Sequence, residues 1–269
     1  LYEEFEGAKG NEQKLNKLLH RLSNFKIFDP ACGSGNFLII AYKELRKLEI
    51  EIIKELGQIS IYSSITLENF YGIEIDDFSH EIAILSLWLA KHQMSVEFHN
   101  KFGISKPSLP IKETGNIICD NSCQIEWNDV CDRNNKDEIF ILGNPPYKGF
   151  SQQTKQQKED LNFILKSKTK LDYISCWFLL ASKFIEGTSN KFSFVSTNSI
   201  CQGEQVDLLW PKILSKNLEI FFAHTSFKWS NNAKSNAGVT CIITGLRTSS
   251  NSSKILYNDS RKRKVEHIN

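Results

Sequence analysis

What this sequence lacks narrows what it encodes. It holds one methionine and no apolar run near the roughly 18 residues that a membrane span needs, so no membrane helix is expected. No leader with a basic start and an apolar middle opens it. It begins with Leu rather than Met, and is expected to be cut from a longer polypeptide. Its seven cysteines (Cys32, Cys119, Cys123, Cys131, Cys176, Cys201 and Cys241) are odd in number and lack framework spacing. That pattern points to a reducing, cytoplasmic setting. Cys119, Cys123 and Cys131 follow His92 and His99, but the spacing matches no zinc pattern, and no metal is expected. The net charge of +2 is too small to mark a nucleic-acid binder by itself.

What is present is ordinary in bulk and specific in places. The 269 residues suffice for one large or two small domains, and 41% hydrophobic with 24% charged residues is a globular composition. The organising stretch is 28–38, Phe-Asp-Pro-Ala-Cys-Gly-Ser-Gly-Asn-Phe-Leu. It reads as a strand end, a glycine turn and a helix start. Glycines there let the backbone turn left-handed and come close to a ligand. Asp29 adds a carboxylate, which suits a ligand with a positive centre better than a pyrophosphate. No Gly-Lys-Ser/Thr follows, so this is not a P-loop, and the third glycine of the dinucleotide fingerprint is missing. A lone Gly-x-Gly turn is also common as plain structure.

Residues 1–24 read as a charged helical lead-in with Leu15, Leu18, Leu19 and Leu22 at helical spacing. A first strand is predicted over 26–29. An amphipathic helix follows, with Leu38, Ala41, Leu45, Leu48, Ile52 and Leu56 on one face and Gly57 as its stop. A second strand is predicted over 67–75, and Asp76, Asp77 or Ser79 can cap the next helix. Glu74 stands at that strand's carboxyl end, where a doubly wound sheet holds a ribose diol, although it lies further on than the roughly 20 residues of the dinucleotide fingerprint. Glu74 could equally be a helix-start charge. Residues 99–115 read as a loop and 116–119 as a short strand ending in Asp120 and Asn121.

The fully apolar segment 138–142 reads as a central parallel strand. It leads into Asn144-Pro145-Pro146-Tyr147. Two prolines stiffen the backbone, which would hold the Asn144 side-chain oxygen and the Pro145 carbonyl as paired acceptors for an exocyclic amine. Tyr147 offers a flat face to a base. Residues 148–170 are rich in Lys and Gln; Lys148, Lys155 and Lys158 could touch phosphates, or the segment could be a solvated loop. A helix is predicted over 171–185, a strand over 192–196, and an antiparallel pair over 219–224 and 239–246. Between that pair, residues 227–232 interleave Phe227, Lys228 and Trp229 with Asn, which suits a flipped base or its strand. Residues 261–264 are a basic run, read as a tail or the start of a further domain.

Segments 28–38, 71–76, 142–147 and 194–205, taken in order, resemble the methyltransferase domain of the MmeI-like type II restriction–modification enzymes, which modify adenine at N6. The resemblance covers most of 25–246. It implies a class I AdoMet-dependent methyltransferase: an α/β Rossmann-like fold, mostly parallel, with an antiparallel closing hairpin. The lead-in would be 1–24, the methyltransferase domain 25–250, and 251–269 the tail or truncated target-recognition start. By motif match, Asp29 would face the methionine end of S-adenosyl-L-methionine, with Pro30, Ala31, Cys32, Gly33, Gly35 and Phe37 in the loop around it. Glu74 would hold the ribose, Ile75 would lie against the adenine ring, and Asn121 or Asp120 would meet its edge. Asn144, Pro145, Pro146 and Tyr147 would take the target adenine, with Phe227 as second stacking face and Lys148 and Lys228 near DNA. Double-stranded DNA is the implied partner, with a nuclease upstream and target recognition downstream. No Pro-Cys dipeptide is present, as cytosine C5 methylation would need, and no PD-(D/E)xK nuclease pattern is found. A protein-glutamine or RNA methyltransferase, or a non-catalytic DNA-specificity subunit, are the rival readings.

Overall fold

The computed structural model describes residues 1–57, 63–103, 115–134, 137–228, 239–258 and 261–268. The chain divides into two compact units, residues 1–120 with 136–138, and residues 121–135 with 139–269.

The first unit opens with helices α1 (Tyr2–Glu6) and α2 (Glu12–Ser23). Asn11 caps α2 by accepting from the Lys14 amide, and Leu15, Leu18 and Leu22 are buried, as the spacing predicts. Strand β1 (Phe25–Asp29), helix α3 (Asn36–Leu56), β2 (Phe70–Glu74), helix α4 (Asp77–Phe102) and β3 (Asn116–Cys119) follow. The strands stand in the parallel order β3-β2-β1, with Asp29 opposite Gly72 and Glu74 opposite Cys119. Gly57 ends α3 in the left-handed conformation. The second strand is shorter than predicted because residues Leu67–Asn69 coil into a 3₁₀ turn before it. Helix α4 runs on to Phe102, into the stretch read as a loop; residues 104–114 of that loop lie outside the described residues.

The inner face of α3 also carries charge. Arg46 and Glu49 are almost fully buried, with Arg46 Nε 3.0 Å from Glu49. Arg46 donates to the buried Tyr42 hydroxyl at 2.8 Å, and Glu49 accepts from Ser63 Oγ at 2.6 Å and from Ser64 N and Oγ at 2.7 Å. Every carboxylate oxygen is thus occupied, which is the condition for a buried ion to be tolerated.

The second unit contains α5 (Trp127–Val130), β4 (Glu138–Gly143), α6 (Lys155–Leu165), α7 (Ser175–Ile185), β5 (Lys191–Thr197), α8 (Glu204–Leu214), β6 (Leu218–Lys228), β7 (Thr240–Thr248), β8 (Lys254–Asn258) and β9 (Arg261–Val265). Their order is β4-β5-β7-β6-β8-β9. β4 and β5 are parallel, β7 is antiparallel to both β5 and β6, β8 is parallel to β6, and β9 is antiparallel to β8. The core centres on Phe178, whose ring meets Phe192, Phe194 and Trp210 edge-on at centroid distances of 5.9, 5.5 and 6.0 Å.

Three stretches differ from their sequence reading. Residues 155–165, read as loop, are helical: Thr154 and Gln157 form a reciprocal capping box, and Leu161 and Asp160 anchor the inner face. Residues 204–214, to which no element was assigned, form α8 despite Pro211. The basic run at 261–264, read as a tail or the start of a further domain with no element assigned, forms the edge strand β9. The Trp229–Asn232 part of the aromatic loop lies outside the described residues.

Removing the carboxylate of Glu49 leaves Arg46 charged and buried without its partner. Glu49→Ala is expected to cost about 3–5 kcal/mol of stability, measured by urea unfolding.

Candidate active site

In the first unit the predicted cofactor residues collect at the carboxyl ends of the parallel strands, the place where open α/β sheets bind ligands. β1 ends at Asp29, and the chain turns back through 30–35. The turn is held by Cys32 N donating to Ile73 O at 3.0 Å and Gly35 N donating to Cys32 O at 2.8 Å. Gly33 has φ +53° and open space where a side chain would stand; Gly35 has φ +83°, and a Cβ there would lie 3.3 Å from the α4 backbone at Ala83. Only glycine serves both demands at Gly35: left-handed backbone and close approach.

Glu74 binds this loop to the strand edge. Its Oε2 accepts from Gly33 N at 2.8 Å and its Oε1 from Asp76 N at 3.0 Å. Asp76 caps α4 through Ser79 N at 2.8 Å. Asp120 N donates to the Glu74 carbonyl at 2.9 Å, which brings the exposed Asp120 to the same edge. Ile75 and Phe78 are 66% and 75% exposed beside it. Phe78 was not among the residues the sequence singled out; its signal was only an apolar side chain in the first turn of a capped helix.

Asp29 is 1% exposed. Its Oδ1 accepts from Ala31 N at 3.1 Å, whereas Oδ2 is buried with no hydrogen-bond partner. Burial, opposed by the Ala31 hydrogen bond and reinforced by the Glu74 charge, pushes its carboxyl up to about 7. Pro30 and Cys32 are buried and Ala31 and Phe37 half-buried. Burial first, then the Asp29 and Glu74 carboxylates, raise the Cys32 thiol well above its ordinary range, so it is inert.

In the second unit Asn144 and Tyr147 follow β4, both half-buried, with Pro145 buried and Pro146 exposed. The Tyr147 hydroxyl donates to Asn144 Oδ1. Burial, then contact with the Cys241 thiol, raises the Tyr147 hydroxyl above its ordinary range, so it stays a donor. Cys241 sits on β7 opposite Phe227 and opposite Thr197, which brings the Phe227 strand position near the tyrosine. Cys241 had no sequence signal. Beyond the loop, the Lys148 carbonyl accepts from Tyr173 N at 2.8 Å and from Gln153 Nε2 at 3.2 Å; Gln153 Nε2 also reaches Leu171 O at 2.9 Å. The Lys148 and Lys228 side chains are exposed.

Asn121 belongs to this unit, and its side chain is committed there: it accepts from Cys123 N at 2.9 Å and donates to Asp160 Oδ1 at 3.2 Å. Asp160, 1% exposed, also accepts from Gln124 at 2.8 Å, Gln156 at 3.2 Å and the Tyr173 hydroxyl at 2.7 Å. Of the two residues weighed for an adenine edge, Asp120 is the exposed one. Among the described residues, metal-ligand atoms gather only at Asp77, His80 and Glu81, within 4.8 Å of one another. The cysteines Cys119, Cys123 and Cys131 make no such group.

The pattern of the family described as MmeI, DNA-methyltransferase domain, matches residues 5–258. DNA methyltransferase A of Bacillus subtilis (strain 168) is 46% identical over 100% of this chain and 32% of its own length. The structure of the type IIL restriction–modification enzyme MmeI in complex with DNA is 41% identical, with a TM-score of 0.89 over 98% of this chain and 37% of that one. A putative type II restriction enzyme and methyltransferase of Methanocaldococcus jannaschii is 38% identical over 44% of this chain. The chain therefore spans about a third of the length of the first two relatives. The fold is that of class I methyltransferases. With residues 5–258 matched, the chain belongs to the family of MmeI DNA-methyltransferase domains.

Proposed function

We propose that this chain transfers a methyl group from S-adenosyl-L-methionine to the N6 amine of adenine in double-stranded DNA, as the modifying part of a cytoplasmic restriction–modification enzyme. A nuclease domain before it and a target-recognition domain after it complete that enzyme. The observation that carries the reading is Asn144 Oδ1: a half-buried acceptor on a proline-stiffened loop, already taking a hydrogen bond from a hydroxyl donor.

The residues of the first unit fit the cofactor. The unpartnered buried Oδ2 of Asp29 suits a cationic group, and such a group would draw the raised carboxyl back to its charged form. Each Glu74 oxygen spends one lone pair on the backbone and keeps another for a hydroxyl. Ile75 presents bare apolar surface to a flat ring, and Asp120 an acceptor to its edge. The cofactor, when bound, supplies a methyl activated on a sulfonium.

The rest is done by the second unit. The target adenine leaves the stack, and Tyr147 and Phe227 give it flat faces. Its amine lone pair is delocalised into the ring. Hydrogen bonds from the amine to Asn144 Oδ1 and the Pro145 carbonyl favour a pyramidal nitrogen, which is stabilisation gained in the transition state rather than proton abstraction by a base. The adenine amine competes with the Tyr147 hydroxyl for the same oxygen. Lys148 and Lys228 meet the phosphates around the base.

Asn144→Ala is expected to abolish transfer while calorimetric affinity for the cofactor stays within a few-fold; joint loss of both would sink the division of roles. Tyr147→Phe is expected to keep transfer within about tenfold, since it frees Asn144, whereas Tyr147→Ala loses base stacking worth about 1–3 kcal/mol and raises KM for DNA. For Asp29 the fold favours the neutral acid. Its contribution to stability is full below the ordinary value of 3.8 and is lost as pH rises through about 7. Ligand-free Asp29→Asn is thus expected to melt higher than wild type at about pH 8. It should also bind the cofactor at least tenfold more weakly there, with the deficit shrinking as pH falls below about 7 and wild-type Asp29 protonates.

A further inference from the structure

The last two strands of the second unit carry a feature that the methyl-transfer residues do not use. In a sheet, residues paired across adjacent strands share a face. His224 pairs with Tyr257 and Tyr257 with Lys262; Phe222 pairs with Ile255 and Ile255 with Lys264. One face therefore steps from half-buried aromatics out to two lysines on the edge strand. The His224 and Tyr257 rings stack at 6.4 Å with 9° between their planes. Arg261 and Arg263 alternate onto the other face, and all four cations are exposed.

The one cation of β8, Lys254, is neutralised. Lys254 lies 3.0 Å from Glu219. Among the described residues, no carboxylate pairs with Arg261, Arg263 or Lys264. Edge strands are often blunted by charge against sticky pairing, and one or two lysines serve that purpose. A run of four cations on both faces does more: it attracts a polyanion.

Strand direction sets where that run lies. β4 and β5 run one way, β7 returns, β6 and β8 run with β4, and β9 returns. The carboxyl end of β4, from which Asn144 and Tyr147 spring, thus shares a sheet edge with Lys228 at the end of β6, Asn258 at the end of β8 and Arg261 at the start of β9. Five strand steps separate β4 from β9. At about 4.8 Å each they span roughly 24 Å, the length of about seven base-pair steps of duplex.

We propose that β9 is a contact for the phosphate backbone of duplex DNA, about seven base pairs to one side of the target base and outside the base pocket, with the His224–Tyr257 stack as its rigid backing. The inference rests on the reading of DNA as substrate and adds a second point of attachment to it. Two separated contacts fix the angle at which a duplex crosses the sheet edge, which a single flipped base does not.

The test replaces Arg261, Lys262, Arg263 and Lys264 together by Gln in the full-length protein and measures duplex binding by fluorescence anisotropy over a salt series, beside cofactor titration and thermal melting. The plot of log K against log salt is expected to flatten by about 2 to 3, since each phosphate contact contributes about 0.9. Affinity near 0.1 M salt should fall at least tenfold, cofactor binding should stay within twofold, and hydroxyl-radical protection about seven base pairs from the target should disappear. Replacing Arg261 and Arg263 by Lys keeps the charge and should keep the slope. A folded Gln variant with unchanged slope and footprint would overturn the inference alone, including the case in which the run binds an acidic protein face. A wild-type protein that binds no duplex would overturn the substrate reading with it.

Discussion

Glu74 is the residue on which the carboxyl-end edge of the first unit's strands depends. One carboxylate holds the amide of Gly33 in the β1–α3 turn and the amide of Asp76 at the start of α4. These two charge-assisted hydrogen bonds to backbone are stronger than neutral ones and hold the turn against the strand edge. The constraint extends further through Asp120, whose amide is taken by the Glu74 carbonyl. Strand ends, glycine turn and helix cap are thus coupled through one residue. A substitution at Glu74 would loosen the turn as well as remove the proposed ligand contact, so its effect on affinity would not measure that contact alone.

The Asn144–Tyr147 loop of the second unit is organised by a different device. Its two prolines cannot donate, so the loop borrows rigidity from what lies beyond it. The Lys148 carbonyl takes two donors, and Gln153 ties the same point to Leu171. Asp160 then gathers Asn121, Gln124, Gln156 and Tyr173 around one buried carboxylate. Four donors compensate its burial. The network makes the segment after the tetrapeptide part of the scaffold, which a solvated lysine-rich loop could not be.

That contrast marks what could be read from residues and what could not. The glycine turn, the strand ending at Asp29, the carboxylate at Glu74 and the strand before Asn144 were legible because each combines an apolar run with a residue type whose backbone or charge has few other uses. Helix α6 was missed although Thr154 and Gln157 spell its capping box, because its first turns carry only Lys, Gln, Glu and Asp, and its buried residues are just Asp160 and Leu161. The Arg46–Glu49 pair was invisible in the same way: charged residues at helical spacing read as a solvated face unless their partners, here Ser63 and Ser64, are known. Asn121 and Asp120 were adjacent and chemically alike, and only their surroundings separate them. The strand at 261–264, read only as a tail or the start of a further domain, depends on pairing with β8, a contact that no local pattern announces.

On the cofactor reading proposed above, Asp29 sets ligand affinity against ligand-free stability. Raising a carboxylic acid from 3.8 to about 7 corresponds to roughly 4 kcal/mol against its charged form. A protein selected only to stay folded would place an amide or an apolar side chain there. The carboxylate keeps one oxygen without a partner, a deficit that either a proton or a cationic neighbour relieves. Ligand affinity and ligand-free instability are then two readings of one buried charge, and pH moves both in a linked way because protonation relieves the same deficit that the ligand does. On that reading the site would discriminate by charge before shape: a neutral analogue of the same outline would leave Asp29 Oδ2 without a partner, and would gain least at the pH where a cationic ligand gains most.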